Sequence, residues 1–140
     1  MIIADTGYWV ALFNRGDRHH ARAVAVSGEI RERLATTWPV LTETCHLLAA
    51  RGYAELAARF LERCFSGAAE IIELEDAARP RMLELMRRYD RLPMDLADVS
   101  LIILAEKLGH GRILSTDQRD FESYRWKNHH PFQNLLLETP

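Results

Sequence analysis

Apolar residues along the chain keep two rhythms that alternate. Short apolar runs bounded by breakers read as strands: "MIIA" at the start, closed by "DTG"; "AEIIEL" from Ala69; and "RILS" from Arg112, closed by "TD". "TTWPVL", Thr36 to Leu41, is predicted to be extended by its composition and its proline. Between these lie stretches with apolar positions three and four apart, the spacing of one helical face. "TGYWVALFN" predicts a short helix closed by "NRGD". Asp17 is placed to cap the long segment "RHHARAVAVSGEIRERLA". Thr42 is the N-cap candidate for "ETCHLLAAR", with Gly52 as its stop. "YAELAARFLERCF" puts Leu56, Phe60 and Cys64 at four-residue steps. Asp76 would cap "AARPRMLELMRRYD", where Met82, Met86 and Tyr89 share a face and Pro80 falls in the first turn. A strongly apolar helix follows from Leu96 and ends near "LGHG". There is no internal repeat, low-complexity tract or linker. Strands alternating with helices predict a parallel sheet covered by helices.

Length and composition narrow the class. The 140 residues fit a single domain spanning 1–140, able to bury roughly two-thirds of its unfolded surface. Apolar content of 48% with 27% charged residues is ordinary for a globular protein. No run of about 18 apolar residues would span a membrane, and the N-terminus lacks a secretory pattern. Cys45 and Cys64 are too few for a disulfide framework, so a cytoplasmic protein with reduced thiols is expected. A net charge of −2 neither proposes nor excludes nucleic acid, because the 18 basic residues can gather on one face.

Four acids change the picture. In "LPMDLADVSLIILAEKL", Asp95 reads as a helix cap, but Asp98 stands among residues headed for the core. A dipole role would be worth only about 0.3–1 kcal/mol, and burying an unpaired carboxylate costs far more. "IIADT" and "ILSTD" share one form, an apolar strand followed by a small residue and an acid, placing Asp5 and Asp117 at strand carboxyl ends. Ligands of open α/β sheets bind beyond those ends. Glu43 and Asp98 lie in first turns of helices that can start at the same edge. Taken singly, Glu43 complements a helix dipole and Asp117 caps the short "QRDFESY" helix equally well. Together, the four can converge on one spot. Two like charges about 4 Å apart repel by about 4 kcal/mol at an effective dielectric of 20, so such a pocket needs a cation or must stay partly protonated. An all-oxygen set selects Mg²⁺ or Mn²⁺, and one or two such ions would activate a water against a phosphodiester.

The segments "IIADTGYWVALFN", "VLTETCHLL", "LADVSLIILAE" and "ILSTDQRDF", in this order, resemble the PIN-domain nucleases, and more narrowly the VapC-type toxins of toxin–antitoxin pairs. The resemblance runs from Met1 to about Tyr124. It implies a three-layer α/β/α sandwich with a central, mainly parallel sheet. It implies RNA hydrolysis with Mg²⁺ or Mn²⁺, with Asp5, Glu43, Asp98 and Asp117 as the metal-holding and catalytic acids. Thr6 and Thr116 would support them or touch phosphate. Asp95 and Asp120 are extra acids, expected to cap or support. The resemblance also implies a homodimer and a cognate antitoxin. The tail "WKNHHPFQNLLLETP" is outside it.

Other conspicuous residues carry two readings each. Arg15, Arg18, Arg22, Arg119 and Arg125 flank the acidic motifs and can meet RNA phosphates or plain solvent. Trp9, Trp38 and Tyr8 can stack on bases or fill a core or a dimer contact. His19–His20 and His129–His130 lack zinc spacing. Cys45 and His46 are consecutive on a helix and do not face each other. Three functions compete: a toxin ribonuclease, a PIN-type RNA-processing nuclease without an antitoxin, and a non-catalytic phosphoacceptor or binding module. The last wants a second acid beside Asp5, where the chain has Thr6 and Gly7.

Overall fold

The computed structural model describes residues 1–52, 54–92 and 94–137. Its strands are β1 (Ile2–Ala4), β2 (Leu34–Thr37), β3 (Glu70–Ile72), β4 (Arg112–Leu114), the two-residue strands β5 (Arg125–Trp126) and β6 (His130–Pro131), and β7 (Gln133–Asn134). Five of them form one parallel sheet in the order β3-β2-β1-β4-β7, and β5 pairs antiparallel with β6. Ile2, Ile3 and Ala4 are all buried, as expected for a parallel strand covered on both faces. Ile3 pairs with Ala35 on one side and Ile113 on the other. From β1 the chain builds the sheet outward through β2 and β3, then returns to add β4 on the opposite side. This reversal is a topological switch point, and the crevice beyond its carboxyl ends is where ligands bind in such sheets.

The helices are α1 (Thr6–Phe13), α2 (His20–Glu29), α3 (Trp38–Ala50), α4 (Ala54–Arg63), α5 (Arg79–Arg88), α6 (Leu96–Leu108) and α7 (Gln118–Ser123). They flank the sheet in an α/β/α arrangement. The α6 helix packs on β1 and β2, with α3 and α5 beside it, and α1 packs among α2, α3 and α4. Residues Ala97–Ala105 of α6 are buried without a break, Asp98 among them. Thr37 and Ser100 join by a hydroxyl–hydroxyl bond of 2.6 Å, tying the end of β2 to α6. Gly109 closes α6 in the left-handed conformation at φ 77°, which glycine adopts without a Cβ penalty. Among the described residues no helix is long and apolar enough to cross a membrane.

Several expected boundaries move. The long segment after Asp17 is not one helix: α2 stops at Glu29, and Leu34 and Ala35 join β2 against Ile2 and Ile3. Asp17 accepts from the His19 N–H (2.8 Å), while His19 itself occupies the cap position of α2 without a side-chain bond. "TTWPVL" divides: Thr36 and Thr37 are strand, and Trp38 opens α3 with Pro39 in its first turn. Proline pushes its predecessor out of helical geometry but suits a first turn itself. Thr42 therefore lies inside α3 and donates to the Trp38 carbonyl (3.0 Å) instead of capping. Asp76 sits in a short turn, Asp76–Ala78, that precedes α5. On α5 the buried residue is Leu85, whereas Met86 is exposed. The stripe of Leu56, Phe60 and Cys64 leads out of α4 into a wide turn, Cys64–Ala68, closed by Gly67 at φ 108°; its predicted first residue, Tyr53, lies outside the described residues. The tail contributes β7 to the main sheet. There the Asn134 amide accepts from the Ser115 N–H (3.2 Å) and donates to the Ser115 carbonyl (2.9 Å).

Candidate active site

The switch point places two acids directly. Asp5 ends β1, with its N–H donating to the Leu114 carbonyl at 3.0 Å. Its carboxylate accepts from the Thr6 N–H (2.7 Å) and the Ser115 hydroxyl (2.8 Å). Burial nonetheless raises its pKa to about 6, against those hydrogen bonds and with added repulsion from Asp117 and Asp95. Asp117 follows β4. Its N–H donates to Ser115 Oγ at 2.9 Å, so one serine hydroxyl bridges both acids. Asp117 also caps α7 by accepting from the Asp120 N–H (3.3 Å). Asp120 is pushed up to about 6 by burial and by sharing a hydrogen bond with Asp117, while Arg119 pulls the other way.

Two helices bring the remaining acids. Asp95 accepts from the Asp98 N–H at 2.9 Å, and Asp98 returns a long 3.5 Å contact to the Asp95 N–H, closing a capping box. That contact is at the limit of a hydrogen bond and does not balance the burial of Asp98. The Tyr124 hydroxyl donates to Asp98 Oδ2 at 3.1 Å. Burial, then the charges of Asp95 and Asp5, still push Asp98 up to about 8. Glu43 lies in the second turn of α3. Burial first, then a side-chain hydrogen bond with Asp95 and the charges of Asp95 and Asp5, raise it to about 7, with the Thr6 hydroxyl opposing. Asp5, Glu43, Asp95, Asp98, Asp117 and Asp120 therefore act on one another as a single cluster. The salt bridges among the described residues involve other acids, such as Arg81–Glu106 and Arg112–Glu32, so Arg119, acting on Asp120, is the cation that offsets the cluster's charge there.

The threonines border the same crevice. Thr6 Oγ1 is buried without a hydrogen-bond partner, although it lies close enough to Glu43 to lower its pKa. Thr116 covers Gly7: a Cβ on Gly7 would collide with Thr116 Oγ1 and stand 3.1 Å from its Cβ. The arginines divide. Arg119 sits beside Asp120. Arg15 and Arg18 lie past the far end of α1, a helix of eight residues and so about 12 Å long, which leads away from Asp5. Arg22 donates to the Leu136 carbonyl (2.8 Å), and Arg125 donates to the Glu122 and Tyr124 carbonyls (2.6 and 2.9 Å). Tyr8 and Trp9 are core residues, whereas Trp38 is exposed. Burial raises both thiols, Cys64 to about 11, which removes a thiolate reading of Cys45.

Among the described residues no three His, Cys, Asp or Glu side chains stand as a ready metal group. The donor chemistry nevertheless fits a hard divalent cation: carboxylate oxygens only, those of Asp5, Glu43 and Asp98 held above their ordinary pKa by burial and neighbouring charges, with an unpartnered threonine hydroxyl beside them. Sequence reasoning missed two residues that orient the acids. Ser115 passed as merely the small residue of "ILSTD", and Tyr124 stands 26 positions from the acid it contacts.

None of the curated proteins matches the chain. Among solved structures, the VapC20 toxin of Mycobacterium tuberculosis, described as cleaving the sarcin–ricin loop, is similar with a TM-score of 0.79 at 23% identity, over 85% of this chain and 92% of that one. That likeness carries the fold. The sequence pattern of the PIN domain matches residues 2–127. This span holds β1 through β5 and all six clustered acids, and the chain belongs to the PIN domain family.

Proposed function

We propose that this chain is a divalent-metal-dependent endoribonuclease, the toxin of a toxin–antitoxin pair, acting in the cytoplasm as a homodimer. The observation that carries this reading is the acid cluster at the sheet's switch point: six carboxylates that form no salt bridge among the described residues, with only Arg119 acting on Asp120 from the rim. PIN-domain membership and the VapC20 likeness support it.

Asp5, Glu43, Asp98 and Asp117 would hold Mg²⁺ or Mn²⁺, which would supply an activated water and charge neutralisation at the phosphodiester. The chain's own residues prepare that site. Ser115 and the Thr6 N–H fix Asp5, and Tyr124 fixes Asp98. Glu43, raised into the neutral range, suits exchange of a proton with the attacking water. Thr6 and Thr116 would line the phosphate's approach, Asp95 caps the start of α6, Asp120 lends its N–H to the Asp117 cap of α7, and Arg119 would meet the RNA backbone. Arg15 and Arg18 would reach only a longer RNA running past α1. An antitoxin would silence the site by inserting an arginine, whose guanidinium pairs with carboxylates through two parallel hydrogen bonds.

Expression in bacteria together with assay of the purified protein tests this. Wild type should arrest growth and cut RNA, not DNA, with Mg²⁺ or Mn²⁺, and Asp5→Asn should do neither. Co-expression of the neighbouring antitoxin gene should relieve the arrest. RNA cleavage without any growth arrest would favour a processing nuclease. No cleavage with either ion would remove the nuclease reading altogether.

A further inference from the structure

Trp38 stands out on the surface. It opens α3 directly after β2 and is 44% exposed. It is also held in place: its indole N–H donates to Glu73 Oε1 at 2.8 Å, and its ring leans on Phe65 at 6.2 Å with a 56° tilt. Leu96, the first residue of α6, is 51% exposed. Both line a groove of about 570 Å³ together with Pro39, His46 and two members of the acid cluster, Glu43 and Asp95. Exposed apolar surface gathered in one groove marks a binding site, and this groove opens onto the acids.

The chemistry of the groove restricts its occupant. Its acidic members repel an acidic peptide or a free phosphate. A second copy docked here by two-fold symmetry would set Glu43 and Asp95 near their own counterparts. A nucleobase is neutral and flat. Its π-face suits an indole, and its exocyclic amino groups suit a carboxylate acceptor. It is also tethered one sugar away from the phosphate that the acids would hold.

Resting on the ribonuclease reading above, we propose that Trp38, with Leu96 beside it, is a stacking platform for the base of an unpaired nucleotide flanking the scissile phosphate. A base stacked on indole has left its own helix, so the platform selects RNA cut within a loop or single strand.

The test uses an RNA that wild type cleaves, mapped to its scissile bond and remade with an abasic nucleotide at each flanking position. Trp38→Ala should lower kcat/KM on intact RNA about 5- to 150-fold, the range of base–aromatic stacking, with the change in KM. Trp38→Phe should stay near wild type. At one flanking position the abasic RNA should penalise wild type by a similar factor, and Trp38→Ala should lose nothing further on it. Equal losses on intact and abasic RNA, or no loss on either, would overturn the proposal. So would a dimer that dissociates in Trp38→Ala while its RNA kinetics stay unchanged. Should Trp38→Ala fail to fold, the wild-type abasic scan decides alone, a flat scan overturning the platform. If wild type cuts no RNA with either ion, the ribonuclease reading fails. Anisotropy with a fluorescein-labelled loop RNA then decides the platform separately, and unchanged affinity in Trp38→Ala overturns it.

Discussion

Raising the pH of the metal-free protein from 5 to 7 should destabilise it, against the usual behaviour of carboxylates. Asp98 is held at about 8, Glu43 at about 7, and Asp5 at about 6. Their ordinary values are 3.8 for aspartate and 4.5 for glutamate. A folded pKa above the unfolded one means that the folded state binds more protons between the two values, so stability falls as pH rises through that window. Each pH unit is worth about 1.4 kcal/mol for one such group. From pH 5 to 7 Asp98 stays protonated when folded and ionised when unfolded, a loss of about 2–3 kcal/mol. At about 3 °C per kcal/mol, the midpoint should drop by roughly 6–9 °C. His110 works the other way just below its ordinary 6.5, because burial lowers its pKa. Glu32, lowered to about 2, has finished titrating before this window opens. The comparison with Asp98→Asn therefore carries the test, since both other groups remain in it. Thermal unfolding in EDTA at pH 5, 6, 7 and 8 should show a steep fall for wild type and a flatter curve for Asp98→Asn. Parallel curves would refute the reasoning, because Asp98 would then titrate alike folded and unfolded.

Two other perturbations test the shell around the acids. Tyr124→Phe keeps the ring packing on Tyr89 and Phe121 but removes the bond to Asp98; urea unfolding should show a loss of about 1 kcal/mol at pH 5 and about 1.5–3 kcal/mol at pH 9, where the bond is to a charged group. Gly7→Ala forces Thr116 aside and should lower stability by about 1–3 kcal/mol as an overpacked site, overriding the gain of up to about 1 kcal/mol that alanine brings to a helix. A stabilised Gly7→Ala with full RNA cleavage would mean that the Thr116 loop yields freely.

The acids were legible because each sits beside an element whose periodicity is strong. Asp5 and Asp117 follow short apolar strands, and Asp95 and Asp98 open a helix too apolar to be mistaken. Element order in a parallel sheet puts Asp5, Asp117 and the Glu43 helix at one edge, whereas the Asp98 helix follows another helix and is not placed by that argument. Less legible were features set by distant partners. The extended reading of "TTWPVL" catches Thr36 and Thr37, but nothing local marks Leu34 and Ala35 as strand; they join β2 because they pair with Ile2 and Ile3. At Trp38 the following proline favours an extended residue, yet proline in a first turn starts a helix as readily, and here it starts α3. Ser115 and Tyr124 reach their acids across 110 and 26 positions, and no pattern within a window of the chain could connect them. The tail's β7 is two residues long and is held by Asn134 on Ser115, a contact that hydrophobic periodicity cannot carry.

The claim beneath all of this is that the acid cluster exchanges protons for a divalent cation. Anomalous scattering from crystals grown with Mn²⁺ tests it most directly. The account predicts a manganese peak touching Asp5 and at least one of Asp98 and Asp117, at the roughly 2.0–2.6 Å of hard-cation coordination. A peak confined to the histidine pairs or to surface carboxylates such as Glu75 or Asp76, with the cluster bare, would contradict it.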